Sequence, residues 1–156
     1  MSDEVKKAHA DEIFKIICES LNGEFECSTN DEKRFIKFNT VSADVPIRIY
    51  ISVDEKRQVV KLLSFMPFCF PADRITDACI AACSATNKLA NGCFSIDINE
   101  GNIMFKQTVS VFNTSITSAT VKNLVDTAYS AIEKYNDKFL ALLNNELSLE
   151  EFVSLQ

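Results

Sequence analysis

A strict two-residue alternation between Ile47 and Val53 constrains the fold of this chain more than any other sequence feature. Apolar side chains occupy the odd positions of this segment, and the even positions carry Arg48, Tyr50 and Ser52. Successive side chains of a β-strand point to opposite faces, so the segment is predicted to be a strand with one core face. Its other face is expected to meet water or a partner.

Further strands are predicted where β-branched and aromatic runs are separated by Asn, Asp and Gly turns. They are Phe25–Thr29, Arg34–Thr40, the strand from Pro46 that follows a turn at Ser42–Asp44, Gln58–Met66, Cys93–Ile98 and Ile103–Phe112. Both alternating sets of Gln58–Met66 are largely apolar, so this strand is expected to be covered on both faces. Pro67 is expected to end it, because proline cannot donate to a ladder.

Helical periodicity appears in three segments: Glu4–Leu21, Ala72–Ala90 and Thr117–Asn145. The second is rich in small residues, which either pack tightly on the sheet of the same chain or allow close helix contact in a dimer. The order α-β-β-β-(β)-α-β-β-α predicts an α+β fold, with an antiparallel sheet covered by helices. We expect one domain over residues 1–146 and a short C-terminal tail, 147–156, containing the amphipathic segment Leu147–Leu155.

The charge balance bears on the partner. Sixteen Lys and Arg against 22 Asp and Glu give a net charge of −6. This argues against nucleic acid, which needs clustered cations, and favours a basic protein partner. The first residues lack the apolar core of a signal peptide, and no run approaches the roughly 18 apolar residues that span a bilayer. A cytoplasmic protein with no membrane partner is expected.

Side chains suited to catalysis are scarce. His9 is the single histidine, and it lies on the apolar face of a predicted helix, where a packed or surface role is expected. Three glycines and no phosphate-loop or nucleophile motif make nucleotide chemistry improbable. The carboxylate pairs Asp73/Asp77 and Asp97/Glu100 show no sign of a cleft. We predict no catalytic, cofactor-binding or metal-binding residue, no cofactor and no enzymatic activity.

The cysteines leave an alternative open. All six (Cys18, Cys27, Cys69, Cys79, Cys83 and Cys93) are expected to be reduced and packed as small apolar residues. However, Cys79 and Cys83 lie four apart on a predicted helix, and Cys93 follows shortly after. A thiol-based or small-ligand-binding regulatory domain therefore remains the second hypothesis.

Phenylalanine is abundant, with 12 in 156 residues, and Phe65, Phe68 and Phe70 cluster around two prolines. These rings fill an aromatic core or line an apolar groove or dimer face for another protein.

Several segments resemble the YbjN-like bacterial domains. They are Ile47–Asp54 (IRIYISVD), Leu63–Pro71 (LSFMPFCFP), Asn87–Leu89 and Gly92–Asp97, followed by a glycine-bearing turn, an outgoing strand and a long C-terminal helix. The resemblance covers Glu12 to Leu143.

This resemblance implies the type III secretion chaperone-like fold, in which helices pack on one antiparallel sheet and the protein is generally a dimer. Secretion chaperones are small, acidic and cytosolic, and they hold a stretch of an effector against apolar patches. The implied function is a non-enzymatic protein-binding module acting as a homodimer, whose partner is an effector-like or regulatory protein. YbjN-like members often occur apart from any secretion system, so the resemblance does not identify the partner.

Overall fold

Six strands form one sheet around the alternating segment. The structure, a computed structural model, describes residues 2–42 and 45–155. The strands are β1 (Cys27–Asn30), β2 (Phe35–Ser42), β3 (Val45–Asp54), β4 (Val59–Cys69), β5 (Cys93–Ile96) and β6 (Asn102–Ser110). Their order is β1-β2-β3-β4-β6-β5, and every neighbouring pair is antiparallel. The predicted α+β fold is confirmed. Ala43 and Asp44, in the expected turn before β3, lie outside the described residues.

The helices are α1 (Asp3–Leu21), α2 (Ile75–Thr86), α3 (Ser118–Leu143) and α4 (Leu149–Ser154). Helices α1 and α3 contact each other; α1 also contacts β3, and α3 contacts β4 and β6. Ile17 of α1 and Ile132 of α3 are fully buried, as are Ile49 of β3 and Leu62 of β4. This is the core that the alternation in β3 predicts.

The strand β4 runs past the proline that was expected to end it. Pairing with β6 is regular up to Phe65, and it resumes at Cys69 after a register shift. Pro67 lies exposed within this irregular stretch. The stretch makes no ladder hydrogen bonds to β6, so the N–H donor that proline lacks is not needed there. The prediction that β4 ends at Met66 was therefore wrong, because a bulge accommodates the proline.

The small-residue helix is shorter than expected. A 3₁₀ turn, Ala72–Arg74, precedes α2, and the helix ends at Thr86 rather than Ala90. The Thr86 hydroxyl accepts a hydrogen bond from the Phe94 N–H at 2.8 Å, which ties the helix end to β5. Four alanines of α2 (Ala78, Ala81, Ala82 and Ala85) are buried within the chain. Tight packing inside the chain therefore suffices to explain the small residues.

The C-terminal segment forms a helix that packs on the domain. Ser148 and Glu151 form a capping box at the start of α4. The Phe152 ring is 2% exposed and lies 5.0 Å from the Phe139 ring and 6.5 Å from the Tyr135 ring, measured between centroids. The helix thus extends the aromatic core, while the division of the chain at residue 146 stays a prediction.

Candidate functional site

One face of the sheet is left open. On β4, Val60, Leu62, Ser64 and Met66 are buried, whereas Val59, Lys61, Leu63 and Phe65 are half-buried. Helices α1 and α3 pack on the first set. The expectation that β4 is covered on both faces was therefore wrong for the described residues. We call the side of β2, β3, β4 and β6 opposite α1 and α3 the open face.

The open face contains a groove of about 920 Å³. Its lining is mainly apolar and comes from β2, β3, β4 and the first residue of β6. The residues are Phe35, Asn39, Pro46, Ile47, Arg48, Tyr50, Ser52, Leu63, Phe65, Met66, Pro67, Phe68, Cys69 and Asn102. Pro67, Phe68 and Cys69 belong to the irregular stretch of β4, so the bulge contributes part of the lining.

Three aromatic rings cross the floor of the groove and form what we call the aromatic ladder: Phe35, Tyr50 and Phe65. The Phe35 and Tyr50 ring centroids are 5.3 Å apart. The Tyr50 and Phe65 centroids are 5.4 Å apart, with the rings nearly perpendicular at 82°. Both separations lie within the favourable range for aromatic pairs, so the rings support one another in fixed positions.

Strand register places the open-face side chains in four rows. Three of them cross β2, β3, β4 and β6: Asn39–Arg48–Phe65–Met104, Lys37–Tyr50–Leu63–Lys106 and Phe35–Ser52–Lys61–Thr108. The fourth, Asp54–Val59–Ser110, crosses β3, β4 and β6. The charged residues of these rows are four cations and one carboxylate, so the open face differs in sign from the protein as a whole, whose net charge is −6.

One cation of the open face is neutralised within the chain. The Lys61 ammonium lies 2.7 Å from the Asp54 carboxylate, and the Arg57 guanidinium lies 3.1 Å from the same carboxylate. Hydrogen bonds from the Lys61 side chain and the Arg57 backbone hold the pKa of Asp54 well below its usual range. Asp54 is therefore ionised at neutral pH, and it fixes Lys61 at one end of the groove.

The single histidine lies outside the groove. His9 lines a separate depression of about 360 Å³ with Val5 and residues 113–115. Its Nε2 atom is 2.9 Å from the Val111 carbonyl oxygen, so Nε2–H is the donor of a structural hydrogen bond. The role expected for His9, packing rather than catalysis, agrees with this contact.

The cysteines do not converge on a metal-binding cluster. All six are free thiols; Cys69 and Cys83 are exposed, and Cys79 and Cys93 are half-buried. Among the described residues, no three or more His, Cys, Asp or Glu side chains are grouped as a metal ion requires. Burial raises the pKa of the Cys18 and Cys27 thiols, which keeps them protonated and unreactive. The role of Cys79, Cys83 and Cys93 stays a prediction.

No helix within residues 2–42 and 45–155 is long and apolar enough to cross a membrane.

Sequence reasoning found part of this site. The alternation in β3 identified Arg48 and Tyr50 as facing water or a partner. It missed Leu63, because the outward residues of β4 were expected to form a second core face, whereas the cluster of Phe65, Phe68 and Phe70 had left an apolar groove open as an alternative to an aromatic core. It also missed Lys37 and Lys106, because only strand register shows that they flank Tyr50 and Leu63 in one row.

Comparisons with known proteins show the fold. No protein-family model matches this chain, and no curated protein matches it significantly. Among solved structures, YbjN, a candidate transcription regulator from E. coli, is similar with a TM-score of 0.60 and 9% identity, over 80% of this chain and 92% of that chain.

Two complexes are also similar. The HopA1–SchA chaperone–effector complex matches with a TM-score of 0.53 and 18% identity, over 88% of this chain and 97% of that chain. The ExsC–ExsE complex matches with a TM-score of 0.56 and 10% identity, over 81% and 92%. The resemblance inferred from the sequence is confirmed: the chain has the YbjN-like, type III secretion chaperone-like fold.

Proposed function

We propose that this protein is a non-enzymatic binding module that holds a segment of another protein in the groove of its open face. The observation that carries the proposal is the aromatic ladder, three half-buried rings on a sheet face that no described helix covers. Apolar surface gathered in one concave patch is typical of a protein interaction site.

The groove is built for binding with little rearrangement. The ladder side chains stand on adjacent strands β2, β3 and β4, whose register is fixed by paired backbone groups. Ordering side chains on association opposes binding, and rings that already contact one another lose little further freedom. Tyrosine at the centre of such a patch is also a residue type enriched among binding hot spots.

The similar structures support this proposal. One of them is a chaperone–effector complex, in which a protein of this fold binds another protein. The groove lining has no histidine and no carboxylate to move a proton, which supports a binding rather than a catalytic role.

We further propose that the protein is a cytoplasmic homodimer, as small secretion chaperones are. Light scattering at micromolar concentration tests the dimer, and a strictly monomeric particle would contradict it.

A small apolar ligand is the second candidate occupant of the groove. A volume of about 920 Å³ lies within the usual range of ligand pockets, roughly 300–1,000 Å³. Such pockets bury most of their ligand, however, and this groove lies along an open sheet face. The geometry therefore favours a chain segment, of which one side stays in water.

Site-specific photocrosslinking in the native cell tests the proposal. Leu63 on the groove floor is replaced by p-benzoylphenylalanine, and the matched control carries the same group at exposed Lys122 on α3. We expect a discrete protein adduct at position 63 that is absent at position 122. The crosslinked segment, once mapped and synthesised, should bind the purified protein, and Tyr50→Ala should weaken that binding about tenfold or more.

Two results would contradict the proposal: adducts at position 63 that contain no second protein, or a mapped segment whose affinity is unchanged by Tyr50→Ala. Far-UV circular dichroism of the variant verifies that the fold is intact.

A further inference from the structure

The charge of the free side chains on the open face indicates what kind of segment binds there. The inference drawn from it rests on the proposed function. Lys37, Arg48 and Lys106 make no ion pair with any side chain of the described residues, in contrast to Lys61. Lys37 and Lys106 stand at the two ends of one row, with Tyr50 and Leu63 between them. Two unneutralised cations thus stand on either side of an apolar floor, and a third, Arg48, lies within it on β3, in a protein of net charge −6.

The backbone of the sheet decides the conformation of the segment. Strands β2, β3, β4 and β6 are paired to one another through their backbone groups over the part of the groove between Arg48 and Ser52, and the β3–β4 pairing stops at Arg48 and Phe65. An extended segment lying on this paired part would find no backbone partner, and its own N–H and C=O groups would be buried unpaired. A helix satisfies those groups internally, so the groove floor favours a helix.

The dimensions of the groove fit one helix. Lys37 and Lys106 are separated by three strand spacings, which amounts to about 14 Å. A helix with side chains is about 10–12 Å wide, so a helix lying along β3 and β4 has one cation on each side. From Pro46 to Ser52 the floor extends about 20 Å, which roughly 13 helical residues would cover.

We infer that the groove binds an amphipathic helix of a partner protein that carries Asp or Glu on both flanks of its apolar stripe. The apolar stripe packs on the aromatic ladder and Leu63, and the flanking carboxylates pair with Lys37 and Lys106. Arg48 offers a third cation beside Phe65 in the adjacent row. Opposite charges on both flanks fix the register of the helix as well as its affinity.

Other macromolecules fit these observations less well. Two copies of the chain meeting through this face would oppose Lys37, Arg48 and Lys106 to the same cations, which repels. Single-stranded nucleic acid also stacks on aromatic rings, but it needs a longer basic track than three free cations in an acidic protein. An acidic helix satisfies both the apolar floor and the cations.

Three synthetic helices test the inference. They share one apolar stripe and carry Glu, Gln or Lys on both flanks; binding to the full chain is measured by fluorescence anisotropy of a labelled peptide. We expect the Glu helix to bind about tenfold or more tightly than the Lys helix, with Gln between them. Raising NaCl from about 0.05 M to about 0.5 M should reduce this preference, because salt screens charges at the rim.

A charge-reversed triple variant links the preference to the site. K37E/R48E/K106E should lose the preference for the Glu helix by about tenfold or more and bind the Lys helix better than the unmodified protein does. The control K7E/K33E/K122E shifts the net charge equally at exposed lysines outside the groove, and it should retain the Glu preference within about twofold.

Several outcomes would overturn the inference. Equal affinity for the three helices, the strongest binding by the Lys helix, or equal effects of the two triple variants would each do so. Competition by a uridine oligonucleotide at the same site, or loss of self-association in K37E/R48E/K106E alone, would assign the face to nucleic acid or to a second copy. Failure of all three helices together with a protein crosslink at position 63 overturns the acidic helix but leaves the proposed function standing.

Discussion

Replacing Phe152 by alanine measures how firmly the C-terminal helix is attached to the domain. Phe152 is 2% exposed and contacts the Phe139 and Tyr135 rings. Phe→Ala in a core lowers the free energy of unfolding by about 3–5 kcal/mol, which includes a penalty for the cavity that remains. Because α4 has only six residues, its detachment removes that cavity, so the loss is limited to the burial of one ring. We therefore expect about 2–3 kcal/mol.

Urea unfolding followed by circular dichroism measures this loss. A chain of this length should also show a melting temperature lower by about 5–10 °C, at 2–4 °C per kcal/mol. Val153→Ala is the matched control, because Val153 lies in the same helix and is 42% exposed; its effect should stay within about 0.5 kcal/mol. Deleting residues 147–156 should reproduce the Phe152→Ala loss to within about 1 kcal/mol. A Phe152→Ala effect as small as that of Val153→Ala would refute the reasoning.

Two further predictions concern the sheet and its turns. Asp54→Asn should lower the free energy of unfolding at pH 7 by about 1–2 kcal/mol, since the carboxylate accepts hydrogen bonds from Lys61 and Arg57. The folded-state pKa of Asp54 is depressed, so this contribution is complete above the unfolded pKa of about 3.9 and is lost as pH falls through the folded value. The difference in free energy of unfolding between Asp54→Asn and the unmodified protein, measured by urea titration, should therefore decrease below about pH 4. A difference that does not change with pH would count against the ion pair. Gly101→Ala should destabilise by about 2–4 kcal/mol, because Gly101 has φ +73° and an added Cβ would lie 1.9 Å from the Phe70 carbonyl oxygen. Gly23→Ala, at φ +80° with open space around it, should lower the free energy of unfolding by only about 1 kcal/mol, and equal thermal shifts for the two glycine variants would contradict this account.

Local patterns predicted the elements well where burial has a single direction. The alternation in β3 predicted its core face, and the four-residue spacing in α1 predicted the buried residues Ile13, Ile17 and Leu21, because each depends on one periodicity along the chain. The same spacing includes Val5, which is exposed because it lies in the first turn of the helix. The stop at Pro67 was wrong because a bulge, which the sequence pattern does not show, lets β4 continue to Cys69. The end of α2 at Thr86 depends on a hydrogen bond to Phe94, which only tertiary structure creates.

The open face was harder to predict for a related reason. Leu and Phe are residue types typical of a protein core, and the centre of an apolar interaction surface contains the same residue types. Leu63 and Phe65 therefore cannot be assigned to one or the other by type. What distinguishes the two is whether a helix covers them, and this depends on where α1 and α3 pack. The cations were missed because Lys37 and Lys106 are 69 positions apart in the sequence and meet only through strand register.

The alternation along β3 and β4 assigns neighbouring residues to separate tasks. Ile49, Ile51 and Leu62 hold the domain together, whereas Arg48, Tyr50 and Leu63, each next to one of them in the chain, face outward. Under the proposed function, substitutions at the outward positions change which segment is bound while the core keeps its packing. Related proteins with this fold can therefore diverge on one side of two strands without loss of stability.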